Sequence, residues 1–240
     1  MIVALALALV ASACGSDDDA AADAPQPTLV PEAPANPTET ASEPTPAPVA
    51  PATPTDTAPV VETRASGLTV TVQQAGDVRL HSVTAPEEVF ANSTHIIETE
   101  NSLVLIDTQF LLPNAIDFRA YADSLGKPID RVFITHEHPD HFLGSEAFAD
   151  LDIYALQTVS DVIETIGQAE VDEKQADFGD AIASTYVVPQ ITEPGELTID
   201  GVVFELTEVD DAEAETQLVL RIPSAGVIAT GDIVYSGVHL

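Results

Sequence analysis

The sequence predicts an α/β domain over residues 66–240, and three observations carry that prediction. Short apolar, β-branched runs recur from Leu68 onward. Stretches with apolar residues at helical spacing separate some of them, so strand, helix and strand alternate as in βαβ units. The run Ile129–Thr135 leads into a loop that holds three of the six histidines, and α/β proteins place their sites at the carboxyl ends of strands.

Taken in order, Leu68–Val72, Thr94–Glu98 and Ser102–Asp107 read as strands by alternation or by apolar runs. Asn114–Leu125 carries Ile116, Ala120, Tyr121 and Leu125 at helical spacing and stops at Gly126, with Pro128 beyond. Ile129–Thr135 is the next strand, and Pro139 denies the stretch after it a regular helix or a central strand. Ile153–Leu156 and then Val159–Ile166 predict a strand followed by a helix. Thr185–Val188, Leu197–Ile199, Val202–Leu206, Gln217–Ile222 and Val227–Thr230 predict further strands.

The chain before residue 66 is of a different kind. Ile2–Ala13 is an apolar run too short to span a bilayer, and it ends Val-Ala-Ser-Ala-Cys14-Gly-Ser. That is the shape of an export signal, residues 1–14, running into a lipobox with lipidation at Cys14. The absence of Lys and Arg ahead of the apolar run departs from the usual signal pattern. Residues 15–65 read as a disordered linker. Residues 17–65 hold 11 of the 18 prolines, with Ala, Thr and acidic residues and no Phe, Tyr or Trp. Such a segment cannot bury enough apolar surface to fold and acts as a semi-stiff tether. The expected location is the outer face of a bacterial membrane, in the periplasm or at the cell surface, with the membrane touched only through the lipid anchor. Cys14 is the only cysteine, so the domain has no disulfide and no thiolate to offer a metal.

The chain carries 40 acidic against 7 basic residues, a formal net charge of −33. Of these, 31 acidic and 6 basic residues lie beyond residue 65. A surface this negative repels nucleic acid and anionic lipid. It argues against a nuclease and leaves a small molecule as the expected partner; the sequence does not give an oligomeric state.

Residues 131–144 read Arg-Val-Phe-Ile-Thr-His-Glu-His-Pro-Asp-His-Phe-Leu-Gly. A single histidine is usually a surface or a satisfied core residue. Here His136, His138 and His141 fall within six positions with Asp140 among them, directly after a buried strand, which points to a metal site. Neutral imidazoles with a carboxylate suit zinc and similar first-row metals. A helical His-Glu-x-x-His site is excluded, because position 140 is Asp. His136 and His138 alternate and so share a face on extended backbone, whereas Asp140 and His141 lie past the turn, placed for a second metal.

His136-x-His138-x-Asp140-His141 resembles the signature of the metallo-β-lactamase-fold hydrolases. Ser102–Thr108 is similar to that family's earlier strand ending in an aspartate, here Asp107, and Thr230-Gly231-Asp232 is similar to its Gly-Asp element. The resemblance covers residues 66–240 and implies a four-layer αββα sandwich, two sheets with helices outside. It implies that His136 and His138 bind one metal, that Asp140 and His141 bind the other, and that Asp232 bridges the two. It also implies two zinc ions (Zn2+) and a metal-dependent hydrolase.

Two departures matter. The family usually supplies a third histidine to the first metal, nineteen residues before the bridging aspartate, and that position is Glu213. A carboxylate binds zinc at nearly the same distance as imidazole, and a glutamate here is similar to the alkylsulfatase branch of the family, which carries a similar Glu-Ala segment. Glu213 is therefore the candidate ligand, with Asp211 and Glu215 as register alternatives; otherwise the acidic loop is merely solvated. An added carboxylate hardens the site, so iron or manganese stand beside zinc. The family's last metal histidine lies well beyond the Gly-Asp element. Here the chain stops eight residues after Asp232 and His239 is the one candidate, so the sandwich is expected to be C-terminally incomplete.

Two metals would bring a bridging water near neutrality in pKa and hold a hydroxide nucleophile, with Asp140 and Asp232 as the catalytic residues that ligate and orient it. Asp107 either orients a ligand from behind or is a structural strand-end residue. No Ser-His or Cys-His nucleophile pair and no Gly-rich phosphate loop is evident. The bond cut is of ester, lactone, lactam, thioester or sulfate type, because loops set specificity in such folds. The rival reading is a non-catalytic cell-surface metal- or ligand-binding domain with a degenerate site, motivated by the two missing histidines.

Overall fold

The structure, a computed structural model, describes residues 59–234. The expected export signal, Cys14, most of the linker and His239 lie outside the described residues.

One sheet has eight strands in sequence order. They are β1 (Val60–Thr63), β2 (Thr69–Ala75), β3 (Val78–Thr84), β4 (Ser93–Glu98), β5 (Leu103–Ile106), β6 (Ile129–Phe133), β7 (Ile153–Ala155) and β8 (Gln190–Ile191). β1 to β5 form an antiparallel meander, and β5 to β8 pair in parallel. Parallel neighbours need crossovers. α1 (Leu112–Ser124) joins β5 to β6, the short α2 (Pro139–Phe142) lies between β6 and β7, and α3 (Gln157–Phe178) leads from β7 toward β8. The second sheet is antiparallel: β9 (Gly195–Ile199), β10 (Val202–Asp210), β11 (Thr216–Ile222) and β12 (Val227–Ala229), in the order β12-β11-β10-β9. Two sheets with helices make this the αββα sandwich of the α/β class. β5 is buried along its whole length, and Phe118, Phe133, Phe142, Phe148 and Phe204 fill the space around it. A strand flanked this way reads as a continuous apolar run rather than an alternating one. No helix among the described residues is long and apolar enough to cross a membrane.

The structure corrects four expectations and adds β3, a strand the sequence pattern does not predict. The linker was expected to run to residue 65, yet Val60–Thr63 pairs with β2. Arg64 and Ser66 then bind Asp117 of α1 at 2.8 and 2.5 Å, so two β-branched valines and one ion pair order the last linker residues. β3 escaped notice because its inward position 81 is a histidine, held by Tyr121 Oη and Glu98 instead of by apolar packing. Pro139 begins a helix rather than preventing one, since the first helical position needs no N–H donor. α3 runs twelve residues past Ile166 because Val159, Ile163, Gly167 and Val171 continue one buried stripe. A Cβ at Gly167 would lie 2.4 Å from the Tyr186 ring, which would have to shift to admit it. Thr185–Val188 is not a strand. The N–H groups of Ser184 and Thr185 donate to Glu146, and that of Val187 to Ser145 Oγ, so side chains rather than a neighbouring strand satisfy this backbone.

One hydrogen bond joins the second sheet to the histidine loop: Leu218 N of β11 donates to Thr135 O at 2.8 Å. The two sheets therefore meet at the carboxyl end of β6.

Candidate metal centre

Four segments converge there. Asp107 directly follows β5 and holds φ 62°, a left-handed conformation that Asp tolerates better than most residues. β6 leads to Thr135 and His136, and α2 carries Asp140 and His141. The β10–β11 turn carries Glu213, and Asp232 follows Gly231 just after β12. The loop after Asp107 and the turn after α2 press tightly together. Thr108 donates from N and Oγ1 to His141 O, each at 2.9 Å, and Gly144 N donates to Gln109 O. A Cβ on Gly144 would stand 2.1 Å from Thr108 O, so only glycine fits.

Asp107 organises this half of the site. Its buried carboxylate accepts from Thr135 N at 2.8 Å, Thr135 Oγ1 at 2.9 Å and His141 Nδ1 at 2.8 Å. Thr135 gives its single hydroxyl proton to the carboxylate, so Oγ1 accepts from His136 Nδ1 at 2.9 Å. Both imidazoles thus carry a proton on Nδ1 and point the Nε2 lone pair into the same space. Both Nε2 atoms are buried with no hydrogen-bond partner among the described residues. Such atoms are costly to bury unless something takes the lone pair, and a cation suits them.

Carboxylates face these nitrogens. His136 Nε2 lies 3.5 Å and His138 Nδ1 3.1 Å from Glu213 Oε2. His141 Nε2 lies 3.3 Å from Asp140 Oδ2 and 3.4 Å from Asp232 Oδ1. Among the described residues, two groups have ligand atoms all within 4.8 Å of one another: His136, His138 and Glu213, and His136, His141 and Asp232. His136 belongs to both, which the motif alone did not suggest. Glu213 of the turn faces the His136 and His138 nitrogens while itself partly exposed; Asp211 and Glu215 are exposed too. The donor set fits one or two divalent cations: neutral nitrogens, carboxylate oxygens and no sulfur.

Electrostatics agree. Burial, then the neighbouring His141, push His136 down to about 4, so its lone pair is free at neutral pH. Burial works against charge on His141 too, but Asp107, Asp140 and Asp232 outweigh it and hold the group well above its ordinary value. The same carboxylates favour any cation at that nitrogen, proton or metal. Burial, helped by Asp232, raises Glu213 despite the opposing pull of His138.

Several supporting residues escaped the sequence reading. Gln217, buried on β11, donates Nε2 to Glu213 Oε2 at 3.3 Å, and its place four residues after Glu213 was the available signal. Asn92 donates to Asp140 O at 2.8 Å. His95 of β4, beside Ile106, is a neutral imidazole pushed down by burial and set 3.2 Å from Ser82 Oγ. Thr135 was read only as the end of a strand.

Comparisons with known proteins follow the same line. The family model described as the metallo-beta-lactamase superfamily matches residues 88–240, more than half of the chain. A linear primary-alkylsulfatase from Pseudomonas sp. (strain ATCC 19151) is 27% identical over 175 residues, covering 58% of this chain and 32% of the relative. The chain thus spans about a third of that relative's length. Among solved structures, a metallo beta lactamase from Hirschia baltica aligns with a TM-score of 0.46 and 18% identity, over 66% of this chain and 69% of that one. A metallo-beta-lactamase from Pontibacter korlensis aligns with a TM-score of 0.45 and 16% identity, over 69% and 67%.

Proposed function

The chain belongs to the metallo-beta-lactamase superfamily, and from that premise we propose that it is a metal-dependent hydrolase of an ester-type bond. His136, His138 and Glu213 would hold one metal ion, and Asp140, His141 and Asp232 the other. The observation that carries the reading is the pair of orphaned, buried Nε2 atoms of His136 and His141 facing three carboxylates. Bound there, the ions supply Lewis acidity, which polarises a substrate oxygen and makes water acidic enough to lose a proton near neutral pH.

The chain's own residues do the rest. Asp107 fixes the tautomer of both histidines, directly for His141 and through Thr135 for His136. Asp140 and Asp232 accept hydrogen bonds from the attacking water and orient it. Glu213 places a negative charge where a third histidine would be neutral, which softens the Lewis acidity and admits iron or manganese beside zinc. Within the ester class, the likeness to an alkylsulfatase puts the sulfate ester first. Export and anchoring through a lipid on Cys14 are part of the same proposal, as is a small-molecule rather than a nucleic-acid partner. Labelled fatty acid should mark the wild type and not Cys14→Ser.

Elemental analysis after chelator washing and reconstitution tests the centre, with a panel of sulfate ester, carboxylic ester, lactone and lactam substrates run beside it. Close to two ions per chain and turnover of an ester are expected. Retention of both ions by a His136→Ala, His138→Ala variant would refute the ligand assignment.

A further inference from the structure

Beside the Asp140 and Asp232 edge of the centre lies a cleft of about 460 Å³, in the size range of small-molecule sites. Three phenyl rings from separate segments wall it: Phe90 before β4, Phe110 after β5 and Phe178 at the end of α3. Phe90 meets Phe110 edge-on with ring centres 5.4 Å apart, and Phe110 meets Phe178 edge-on at 5.2 Å. Phe110 is buried, but Phe90 and Phe178 remain 65% and 38% exposed. Phe90 also holds φ 71°, a conformation that is rare for a bulky residue and costs energy. A folded chain gains nothing by itself from setting a phenyl ring out in water on strained backbone; a ligand that covers the ring gives the arrangement a use.

The charge around this wall is one-sided. Among the described residues Lys174 is the one cation lining the cleft, and its ammonium already faces Glu173 at 2.7 Å and Glu170 at 3.7 Å. Asp177 adds a further negative charge beside it. An anionic group entering here would meet carboxylates rather than a free ammonium.

We propose that this cleft holds the non-reacting part of the substrate, and that this part is a neutral apolar alkyl, acyl or aryl group without a second anionic charge. The proposal rests on the hydrolase reading, which sets the scissile bond at the Asp140 and Asp232 edge. It goes beyond that reading in naming Phe90, Phe110 and Phe178 as residues that select substrates by their apolar part.

The binding arm of the test uses the full chain stripped of metal. N-phenyl-1-naphthylamine, a neutral fluorophore, is titrated beside its sulfonated analogue 8-anilino-1-naphthalenesulfonate. The neutral probe should bind more tightly by about tenfold, and Phe90→Ala, Phe178→Ala should weaken it by about tenfold. The single Phe90→Ala change, at an exposed ring, serves if the double variant does not fold. The His136→Ala, His138→Ala variant should bind the neutral probe as the wild type does. In the second arm, the metal-loaded chain hydrolyses p-nitrophenyl acetate and p-nitrophenyl octanoate. kcat/KM should rise toward the octanoate in the wild type and stay flat in Phe90→Ala. Unchanged probe binding in the phenylalanine variants, or tighter binding of the sulfonated probe, overturns the proposal even where metal loads and esters are cut. Probe binding as expected without turnover of any substrate sinks the hydrolase reading instead and leaves the apolar site standing.

Discussion

The two halves of the candidate centre are built in opposite ways. The half around residues 135–144 is buried at Thr135, His136 and His141, with the His138 side chain left 38% exposed; it is clamped by hydrogen bonds to residues 108 and 109, and Asp107 orients His141 directly and His136 through Thr135. The half on the turn 211–215 is exposed. Its contribution to the centre is Glu213, a side chain left 32% exposed and steadied by a 3.3 Å bond from Gln217. A packed, hydrogen-bonded element holds its geometry before any ligand arrives, whereas an exposed turn can adjust to what binds. On the proposed ligand set, the histidine loop would fix where metals sit, and the acidic turn would tune how strongly they are held.

Removing Glu213 should break that comparison most sharply. Glu213→Ala is expected to lose affinity at the His136–His138 group by roughly 10–1,000-fold, the cost of one lost ligand, with the Asp140–His141–Asp232 group little changed. Glu213→His should keep the metal. Competition with a chromophoric chelator reads both; unchanged affinity in Glu213→Ala would mean that the turn is only solvated acid.

Asp107→Asn should come next, and it should act on both groups at once. It disturbs the acceptor for His141 and, through Thr135, for His136, so affinity at each group should drop by roughly 10–100-fold. The thermal midpoint should also drop, because a buried amide facing N–H and O–H donors leaves some of them unpaired. A loss confined to the His141 group would show that the path through Thr135 carries nothing.

The same contrast explains what was legible in the sequence. The histidine loop follows a strand whose last residues, Val132 and Phe133, are apolar and buried, and its four candidate ligands stand within six residues, so spacing alone located it. Glu213 sits among Asp210, Asp211 and Glu215, and nothing in such a run says which carboxylate turns inward; in the fold Glu213 Oε2 lies 3.1 Å from His138 Nδ1 and 3.5 Å from His136 Nε2, partners more than 70 residues away. β5 was legible because its apolar run is buried along its whole length. β3 was not, because the inward position 81 is a histidine satisfied by Tyr121 and Glu98, partners 40 and 17 residues away. Asp107 could be read either as a positioning or as a structural residue, since its partners depend on β5 and β6 lying side by side.

Gln217→Leu should give a smaller effect that sharpens the account of the turn. Leucine keeps the buried volume but removes the donor to Glu213. First-group affinity should fall by less than about tenfold, in keeping with one neutral donor to a partly exposed carboxylate. Gln217→Glu should do worse, by setting a second buried carboxylate beside Glu213. If Gln217→Leu matched Glu213→Ala in its loss, the turn would depend on Gln217 for its position and would belong with the rigid half.

The smallest expected effect lies outside both halves and separates scaffold from site. Burial pushes the Asp117 carboxyl up, but hydrogen bonds from Arg64 and Ser66 outweigh it and hold the group below its ordinary value. A carboxyl depressed in the folded chain binds its proton less readily than in the unfolded one. Its contribution is therefore complete above the ordinary carboxylate range and is lost as pH falls through the folded value. In metal-free protein, the gap in urea midpoint between wild type and Asp117→Asn should be present at neutral pH and close as acidification passes below the ordinary carboxylate range. At neutral pH it should be worth about 1 kcal/mol, the scale of a hydrogen-bonded pair near the surface. Metal loading should leave the gap unchanged, because Asp117 ties α1 to residues 64–66 and touches neither half of the centre. A gap that widened on loading would mean that the strand pairing at the start of the domain and the metal site are coupled, and the rigid half would then extend as far as β1.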